Sequence, residues 1–331
     1  ALTVEDECVF IGYQVGLVAN HSTAIDGTIG IGYQALTSLT SGGLNLAIGS
    51  GALQHCVDGG YNLAIGHGAL GDWDVGGGTS TTVDGSSHNV MIGRNAGGGA
   101  WTNVLSQYNV GIGNYVMDAA MDGALNNTAL GHNALSALTG GDYNVVVGKS
   151  AGDVTTTGSN NIMIGKGSDA DASGTNNVIA MGENVVSILN AFTFGAGGND
   201  SRIAFGATSI TAPSDQRLKE DIQEDTAGLS FINDLRPVTY KWRQEKDIPE
   251  EMRTHVAGST KRYNNDKVNH GFIAQEVKEA IDKHPELKDG FDMWTEESTM
   301  DGRQRVAEGA LIPMLVKAIQ ELKAEIELLK N

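Results

Sequence analysis

The chain has 331 residues, enough for two or three domains, and a formal net charge of −18 at pH 7. Such an acidic chain is not expected to bind nucleic acid or to insert into a membrane, because nucleic acids and anionic lipids are bound through excess lysine and arginine and no run of about 18 apolar residues occurs. Cys8 and Cys56 form no disulfide framework or zinc spacing, so we expect no metal and no cofactor.

The composition changes near residue 213. Residues 1–213 hold 16 acidic and 4 basic residues and 39 of the 45 glycines, whereas residues 214–331 hold 24 acidic and 18 basic residues. Two different architectures are therefore expected. The acidic start, Glu5 to Glu7, argues against a signal peptide and favours synthesis in a reducing cytoplasm. The missing initiator methionine suggests a fragment of a longer protein.

One unit recurs in the first part: an asparagine, two residues, a branched apolar residue and a glycine, often followed two residues later by Ala-Leu. Its asparagines are Asn45, Asn62, Asn89, Asn109, Asn127, Asn144 and Asn161. The closing glycines, with degenerate copies, have a basal spacing of 17 residues, interrupted by insertions. This spacing predicts a mainly β repeat solenoid over residues 1–182.

Each part of the unit has an expected structural role. Alternation before the glycine predicts a short strand, the glycine permits a tight left-handed turn, and Ala-Leu is expected to return as a second strand. Stacked asparagines would satisfy their own amides in a ladder. The unit is similar to the β-roll heads of trimeric adhesins and to phage fibre repeats, although a monomeric solenoid without a binding role remains an alternative.

Two insertions, 71–87 and 97–107, break the period and carry Trp73 and Trp101. Exposed aromatic side chains on projecting loops would be candidates for receptor contact. The two rings could equally cover the edge of a rung. Residues 183–213 alternate like strands without the repeat, which predicts a neck that joins the solenoid to the last third.

Three sequence blocks mark residues 214–331: Ser-Asp-Gln-Arg-Leu-Lys-Glu-Asp-Ile at 214–222, Gly-Phe-Ile-Ala-Gln-Glu-Val at 271–277, and Leu-Ile-Pro-Met-Leu-Val-Lys-Ala-Ile-Gln-Glu-Leu at 311–322. In this order they resemble the endosialidase-type intramolecular chaperone, the self-cleaving C-terminal domain of phage tail spikes and fibres. The resemblance implies a trimeric α+β domain and cleavage between Pro213 and Ser214. It also implies that Ser214 is the nucleophile and Lys219 the base.

A serine and a lysine five residues apart are common, and without the resemblance Ser214 would be read as a turn residue and Lys219 as a solvated one. In the implied reaction Ser214 attacks its own preceding carbonyl, so that the acyl group moves from nitrogen to oxygen before water completes the cleavage; attack by a neighbouring subunit's serine is the alternative. Lys219 must then be neutral, which burial or nearby cations would favour. The candidate supporting residues are Asp215, Arg217, Gln275 and Glu276.

The pattern from Val306 onward predicts a terminal helix with a heptad seam over 306–331. The seam residues are Ile312, Leu315, Ile319, Leu322, Ile326 and Leu329. Isoleucine at the first position and leucine at the second favour two strands in parallel coiled coils, whereas the resemblance implies three. A helix packed only on its own domain is the alternative.

We therefore predict the distal part of a phage tail fibre or spike, assembled in the bacterial cytoplasm and carried on the virion tail. It would be a homotrimer that contacts a host receptor, either a glycan or an outer-membrane protein, and an upstream tail fibre or baseplate protein. Three alternatives stay open: a spike that degrades capsule polysaccharide, a structural fibre with an uncleaved trimerisation cap, and a cellular regulator that carries the same domain.

Overall fold

A computed structural model describes residues 7–17, 25–71, 85–101, 104–287, 291–297 and 302–330. The chain divides into two compact units, Ala1–Asp215 and Gln216–Asn331. The first contains a β-solenoid over residues 9–204, and the second is a small α/β unit with a C-terminal helix. The predicted fold class, a mainly β repeat region followed by an α+β region and a terminal helix, is confirmed.

Nine three-residue strands stack as successive turns of the solenoid. In order, β1 to β9 are Val9–Ile11, Ile29–Ile31, Leu46–Ile48, Leu63–Ile65, Val90–Ile92, Val110–Ile112, Thr128–Leu130, Val145–Val147 and Ile162–Ile164. All neighbouring pairs among them are parallel. A solenoid of this kind is built from repeated contacts between one turn and the next.

The strands that follow are β10 (Asp169–Ala170), β11 (Val178–Glu183), β12 (Val186–Ser187), β13 (Ala191–Ala196) and β14 (Asn199–Ala204). Strands β11 and β13 continue the parallel sheet, and β14 ends it in antiparallel pairing with β13. The predicted neck, 183–213, thus contains two strands of the same sheet as the repeats. Strands β10 and β12 form a separate parallel pair.

The predicted alternation sets the orientation of each strand. The middle residue is buried, as at Ala47, Ala64 and Val146, whereas its two neighbours face outward and are partly or largely exposed. The register places identical positions next to each other, for example Leu46 beside Leu63. The outer face of the sheet therefore carries two columns of aliphatic side chains.

The predicted asparagine ladder is present. Asn127 is fully buried, and its Nδ2 donates to Asn109 Oδ1 (3.0 Å) and to the Gly141 carbonyl (2.8 Å). Its own Oδ1 accepts the backbone N–H and the Nδ2 of Asn144, at 3.0 and 2.9 Å. Each asparagine side chain in this ladder therefore forms hydrogen bonds to the neighbouring turns, so its buried amide has the partners that buried polar groups require.

The closing glycines adopt backbone conformations that other residues avoid. Gly113 has φ +148°, and a Cβ there would overlap the carbonyl of Gly131 in the next turn. The predicted role of glycine is confirmed, with an added reason: the turns approach each other too closely for any side chain. The same close approach recurs between Gly131 and Gly148.

The prediction that Ala-Leu forms a second strand is wrong. These residues lie in turns, and the leucines are left-handed, with φ of 55° at Leu36 and 51° at Leu135. The turn directs the leucine N–H to an alanine carbonyl of the next turn, at 3.0 Å for Leu36 to Ala52. Full burial of the leucine and this hydrogen bond offset the backbone strain.

A buried acid makes the stability of the solenoid depend on pH. Burial, with Asp153 nearby, raises the pKa of Asp169 from 3.8 to about 6, so this carboxyl favours the folded state below about pH 4 and loses that contribution as pH rises to 6. We expect Asp169→Asn to gain about 1–2 kcal/mol relative to the wild type between pH 4 and 7, after allowance for solvent screening. Urea unfolding at both pH values measures the difference; a constant difference would contradict the assignment.

The second unit contains α1 (Leu229–Asp234), β15 (Val238–Tyr240), β16 (Asn269–Gly271), α2 (Ala274–Asp282), β17 (Trp294–Glu296), β18 (Gln304–Val306) and α3 (Ile312–Leu329). Two antiparallel pairs, β15 with β16 and β17 with β18, flank the helices. The buried core gathers around Phe231, Val277, Met293 and Met314.

Helix α3 begins later than the sequence predicted. Val306 is the last residue of β18, which pairs with β17, so residues 304–306 are held as a strand. A 3-10 turn, Glu308–Leu311, then leads into the helix, and Pro313 occupies its first turn, where a missing N–H has no cost. Glu321 on α3 accepts a 2.7 Å hydrogen bond from the N–H of Leu229, which caps the start of α1.

Candidate active site

The segment around the predicted scissile bond is exposed. Every residue from 204 to 226 has a largely accessible surface in the single chain. Upstream, Thr211 is held against Arg202 by reciprocal backbone hydrogen bonds of 2.8 and 2.7 Å. The backbone is thus fixed two residues before Pro213, and Ser214 follows in an irregular, exposed stretch.

Lys219 follows a 3-10 turn, Gln216–Leu218, that its own N–H closes by donating to the Gln216 carbonyl at 3.1 Å. The division of the chain into two compact units falls after Asp215, within the short segment from Ser214 to Lys219. Arg217 is the middle residue of the turn. The roles of Ser214, Lys219 and these neighbours remain predictions from sequence.

The other two candidate supporting residues lie in the first turn of α2. Gln275 is exposed. Glu276 forms a paired hydrogen bond with the guanidinium of Arg236, one arm of which measures 3.0 Å. This pairing lowers the pKa of Glu276. The carboxylate therefore ties the start of α2 to the segment after α1.

The structure also shows polar groups that the sequence did not single out. A cavity of about 510 Å³ lies beside the β15–β16 pair, and its wall includes Pro237, His270, Phe272 and Glu308. A Cβ at Gly271 would lie 3.0 Å from Glu308 Oε1, so the glycine in the second sequence block lies close to this carboxylate. No motif signals this cavity, because Glu308 comes from a distant part of the chain.

A second such group is His284, which is mostly buried. Its Nε2 lies 3.0 Å from Asp234 Oδ2 and its Nδ1 lies 3.1 Å from Glu286 Oε1. The ring also meets the edge of Phe231 at 5.4 Å. This cluster joins α1 to the end of α2 inside the core.

The two tryptophans suggested as receptor contacts have different outcomes. Trp73 lies outside the described residues. Trp101 is only 3% exposed and packs in the solenoid core, close to Gly97. The ring of Trp101 therefore has almost no exposed surface to offer a receptor in this structure, and its proposed place over the edge of a rung stays a prediction.

Helix α3 packs on its own unit through one face only. Met314 and Ala318 are buried, whereas the predicted seam residues on the other face are exposed, with Ile319 at 64%. If α3 packed only on its own domain, these six apolar side chains would stay exposed to water. That alternative therefore gives no reason for the apolar seam.

Comparison with known families finds a match in one part of the chain. Residues 214–285 match the model of a family described as the chaperone of endosialidase, which is a self-cleaving autoprotease domain. The chain therefore carries an endosialidase-type chaperone domain. A β-solenoid followed by this domain is the arrangement of a phage tail fibre or spike with a C-terminal chaperone. No curated protein and no solved structure matches the chain.

Two findings on the described residues concern metal-binding groups and membrane-spanning helices. Among them, no group of three or more histidine, cysteine, aspartate or glutamate side chains is arranged to hold a metal ion. None of the helices in the described parts of the chain is long and apolar enough to cross a membrane.

Proposed function

We propose that the chain is the distal part of a homotrimeric phage tail fibre or spike that attaches to a host cell-surface receptor. Its last domain would direct folding and trimerisation and then cut the chain between Pro213 and Ser214. The observation that carries this proposal is the family match, which begins at Ser214 and directly follows the solenoid. The other end would join an upstream tail fibre or baseplate protein, and the finished protein would belong to the virion tail.

The exposed seam of α3 supports trimerisation. Six aliphatic side chains at heptad spacing are exposed in the single chain, while the opposite face already packs on the domain. Burying one such side chain contributes roughly 1.5–3 kcal/mol. Three copies that join through this seam would remove an apolar surface that a monomer leaves in water.

The outer face of the solenoid sheet supports the same assembly. Its two aliphatic columns include several exposed residues: Ile112, Leu130, Val145, Ile162, Ile164 and Met181. An apolar stripe of this length on a soluble protein indicates an interaction surface. The columns run along the solenoid axis. Copies of the chain that point in the same direction would therefore pack against each other along the columns.

The proposed cleavage uses the residues of the junction. The hydroxyl of Ser214 attacks the carbonyl carbon of Pro213 while Lys219 accepts the hydroxyl proton. The carbon–nitrogen bond breaks, the amino group of Ser214 takes up a proton, and the acyl group rests on the serine oxygen. Water then adds to this ester and releases a carboxylate at Pro213 together with free Ser214.

Folding physics explains why such a domain would be useful. Parallel β-strands pair between distant residues and in a strict register, which is slow and exposes edges that aggregate. A helical seam that forms early raises the effective concentration of the three solenoid segments. Cleavage after assembly then removes the domain that guided folding, so the fibre is kinetically trapped.

Ile319→Asp is expected to abolish trimer formation, because it places three carboxylates at the centre of the seam. In the uncleaved Ser214→Ala background, mass photometry should give trimers for the chain with Ile319 and monomers for the chain with Ile319→Asp. Leu328→Asp is the matched control, since Leu328 lies on the same helix, is 76% exposed and is outside the seam. Trimers of the Ile319 variant would exclude the seam as the assembly surface.

Ser214→Ala tests the proposed function as a whole. On a boiled denaturing gel, the wild type should give pieces of 213 residues and the remaining 118 of the 331, whereas the variant should stay whole. Ser209→Ala, a short distance upstream in the same exposed segment, should behave as the wild type. If both the wild type and the Ser214 variant stay whole, the domain is a permanent cap. If the Ser214 variant is still cut, another agent cleaves the chain.

A further inference from the structure

Nearly all the permanent positive charge of the first unit lies in one column of side chains. Residues 1–213 contain four lysines and arginines, and three of them, Arg94, Lys149 and Lys166, occupy the same repeat position, directly after the closing glycine. His67 and His132 occupy this position in two other turns. The fourth basic residue, Arg202, lies in β14.

Backbone hydrogen bonds show that these positions stack directly on one another. The carbonyls of His67 and Arg94 accept the N–H groups of Asn95 and Tyr115, both at 2.9 Å. Equivalent backbone hydrogen bonds join the later turns, with the N–H of one residue donating to the carbonyl of the other: Asn133 to Asn114, Ser150 to His132, Gly167 to Lys149 and Asn184 to Lys166. With turns about 4.8 Å apart, six positions span roughly 24 Å. We call residues 67, 94, 114, 132, 149 and 166 the basic column.

The basic column contrasts with its surroundings. Residues 1–213 hold 16 acidic residues, yet none occupies this position between His67 and Lys166. The first acid there is Glu183, in the next turn, whose carboxylate pairs with Lys166 at 2.7 Å. All six side chains of the column are exposed. An otherwise acidic unit thus presents to solvent a line of three cations and two histidines, interrupted by Asn114, and the line ends at a salt bridge.

Neutral polar and aromatic groups lie beside the column. Tyr115 lies 5.5 Å beneath the guanidinium of Arg94 and 5.9 Å from the ring of His132. A cavity of about 410 Å³ opens next to them, lined by Tyr115, His132, Asn133 and Ser136 together with Asp118. An aromatic face, an amide, a hydroxyl and one carboxyl group in one shallow cavity are suited to the hydroxyl groups of a sugar ring.

We propose that the basic column binds an extended acidic polysaccharide, with carboxylates along Arg94, Lys149 and Lys166 and one sugar ring in the cavity beside Tyr115. This inference rests on the proposed attachment function and specifies its ligand class. The three cations lie on a straight line and are separated by one or more turns of the solenoid. A linear polymer whose carboxylates are spaced along its length can pair with them one after another.

Nucleic acid fits the same surface less well. A DNA duplex carries one negative charge per about 1.7 Å, far more over the length of the column than three permanent cations neutralise. The net charge of −18 would repel the rest of such a ligand. A carboxylated polysaccharide has a lower charge density and offers hydroxyl groups to the neutral residues of the cavity.

Binding of polygalacturonate, alginate and hyaluronan to the purified protein, cleaved or whole, tests the proposal, with dextran as neutral polymer and single-stranded DNA as a second polyanion. We expect at least one acidic polysaccharide to bind, and to bind more weakly as salt rises. The triple variant Arg94→Gln, Lys149→Gln, Lys166→Gln should bind about tenfold more weakly. Asn114→Lys, which fills the uncharged gap in the column, should bind more tightly, whereas Thr157→Lys, exposed at another repeat position, should not.

Circular dichroism melting and mass photometry of each variant verify that the fold and assembly are kept. An unchanged affinity of the triple variant, the absence of binding to every acidic polysaccharide, or tighter binding of DNA would each overturn the proposal. None of these results bears on cleavage or trimer formation, which the gel and mass photometry measure independently. The ligand class and the proposed fibre function can therefore fail separately.

Discussion

Lys219→Ala is expected to leave the chain whole while trimers still form. Loss of a positioned base slows a proton transfer by roughly 10²- to 10⁴-fold, so cleavage that is complete in the wild type should fall below detection on the time scale of expression. The seam of α3 and the aliphatic columns do not involve Lys219, so assembly should continue. A boiled denaturing gel and mass photometry of the same sample measure both results.

The exposure of the junction sharpens this prediction. In a single chain every residue from 204 to 226 is exposed, whereas a positioned base works best in a site from which water is excluded. A lysine acting as base therefore needs other groups to cover it, which assembly of several chains would supply. We expect Ile319→Asp, which prevents assembly, to prevent cleavage as well.

Two substitutions serve as controls for Lys219→Ala. Lys219→Arg keeps a positive charge but cannot act as a base, so it should also stay whole. Lys241→Ala removes an exposed lysine of the same domain and should be cleaved as the wild type is. Cleavage of the Lys219→Arg variant at the normal rate would show that Lys219 contributes charge and not proton transfer.

Asn127→Ala is expected to destabilise the solenoid by about 3–5 kcal/mol. The change leaves the buried Gly141 carbonyl and the Asn144 N–H without their Asn127 partners, whereas Asn109 Oδ1 keeps the backbone N–H of residue 127. Each buried group left unpaired costs about 1–3 kcal/mol. Urea unfolding at a fixed protein concentration, followed by circular dichroism, measures the loss.

Asn114→Ala is the matched control, because this asparagine lies one turn earlier, is exposed, and accepts a single hydrogen bond from the N–H of Arg94 at 2.9 Å. Its loss should cost less than about 1 kcal/mol. Equal effects of the two substitutions would mean that the ladder contributes no more than an ordinary surface hydrogen bond.

The asparagine ladder could be predicted because a buried amide needs identical partners above and below, and the repeat supplies one at each turn. The fold of Ala-Leu could not, because leucine rarely adopts a positive φ. Its conformation at Leu36 and Leu135 is imposed by hydrogen bonds and burial between turns, which a single unit does not contain. Local pattern thus predicted the strand and missed the turn.

In the second unit, too, local sequence pattern predicted some features and missed others. The spacing of apolar residues predicted the seam face of α3, but its start depends on the pairing of β18 with β17, which local pattern does not reveal. The cavity beside His270 and Glu308 also joins residues far apart in sequence. For the junction, the sequence names Ser214 and Lys219 through the resemblance of their block to a known family, and their roles stay predictions.

The most direct test of the central claim is the intact mass of the purified wild-type chain, together with the N-terminal sequence of any smaller product. We predict two species, one of 213 residues that ends at Pro213 and one of 118 residues that begins Ser-Asp-Gln-Arg. A single species of full mass, or a product that begins elsewhere than at Ser214, would contradict self-cleavage at this junction.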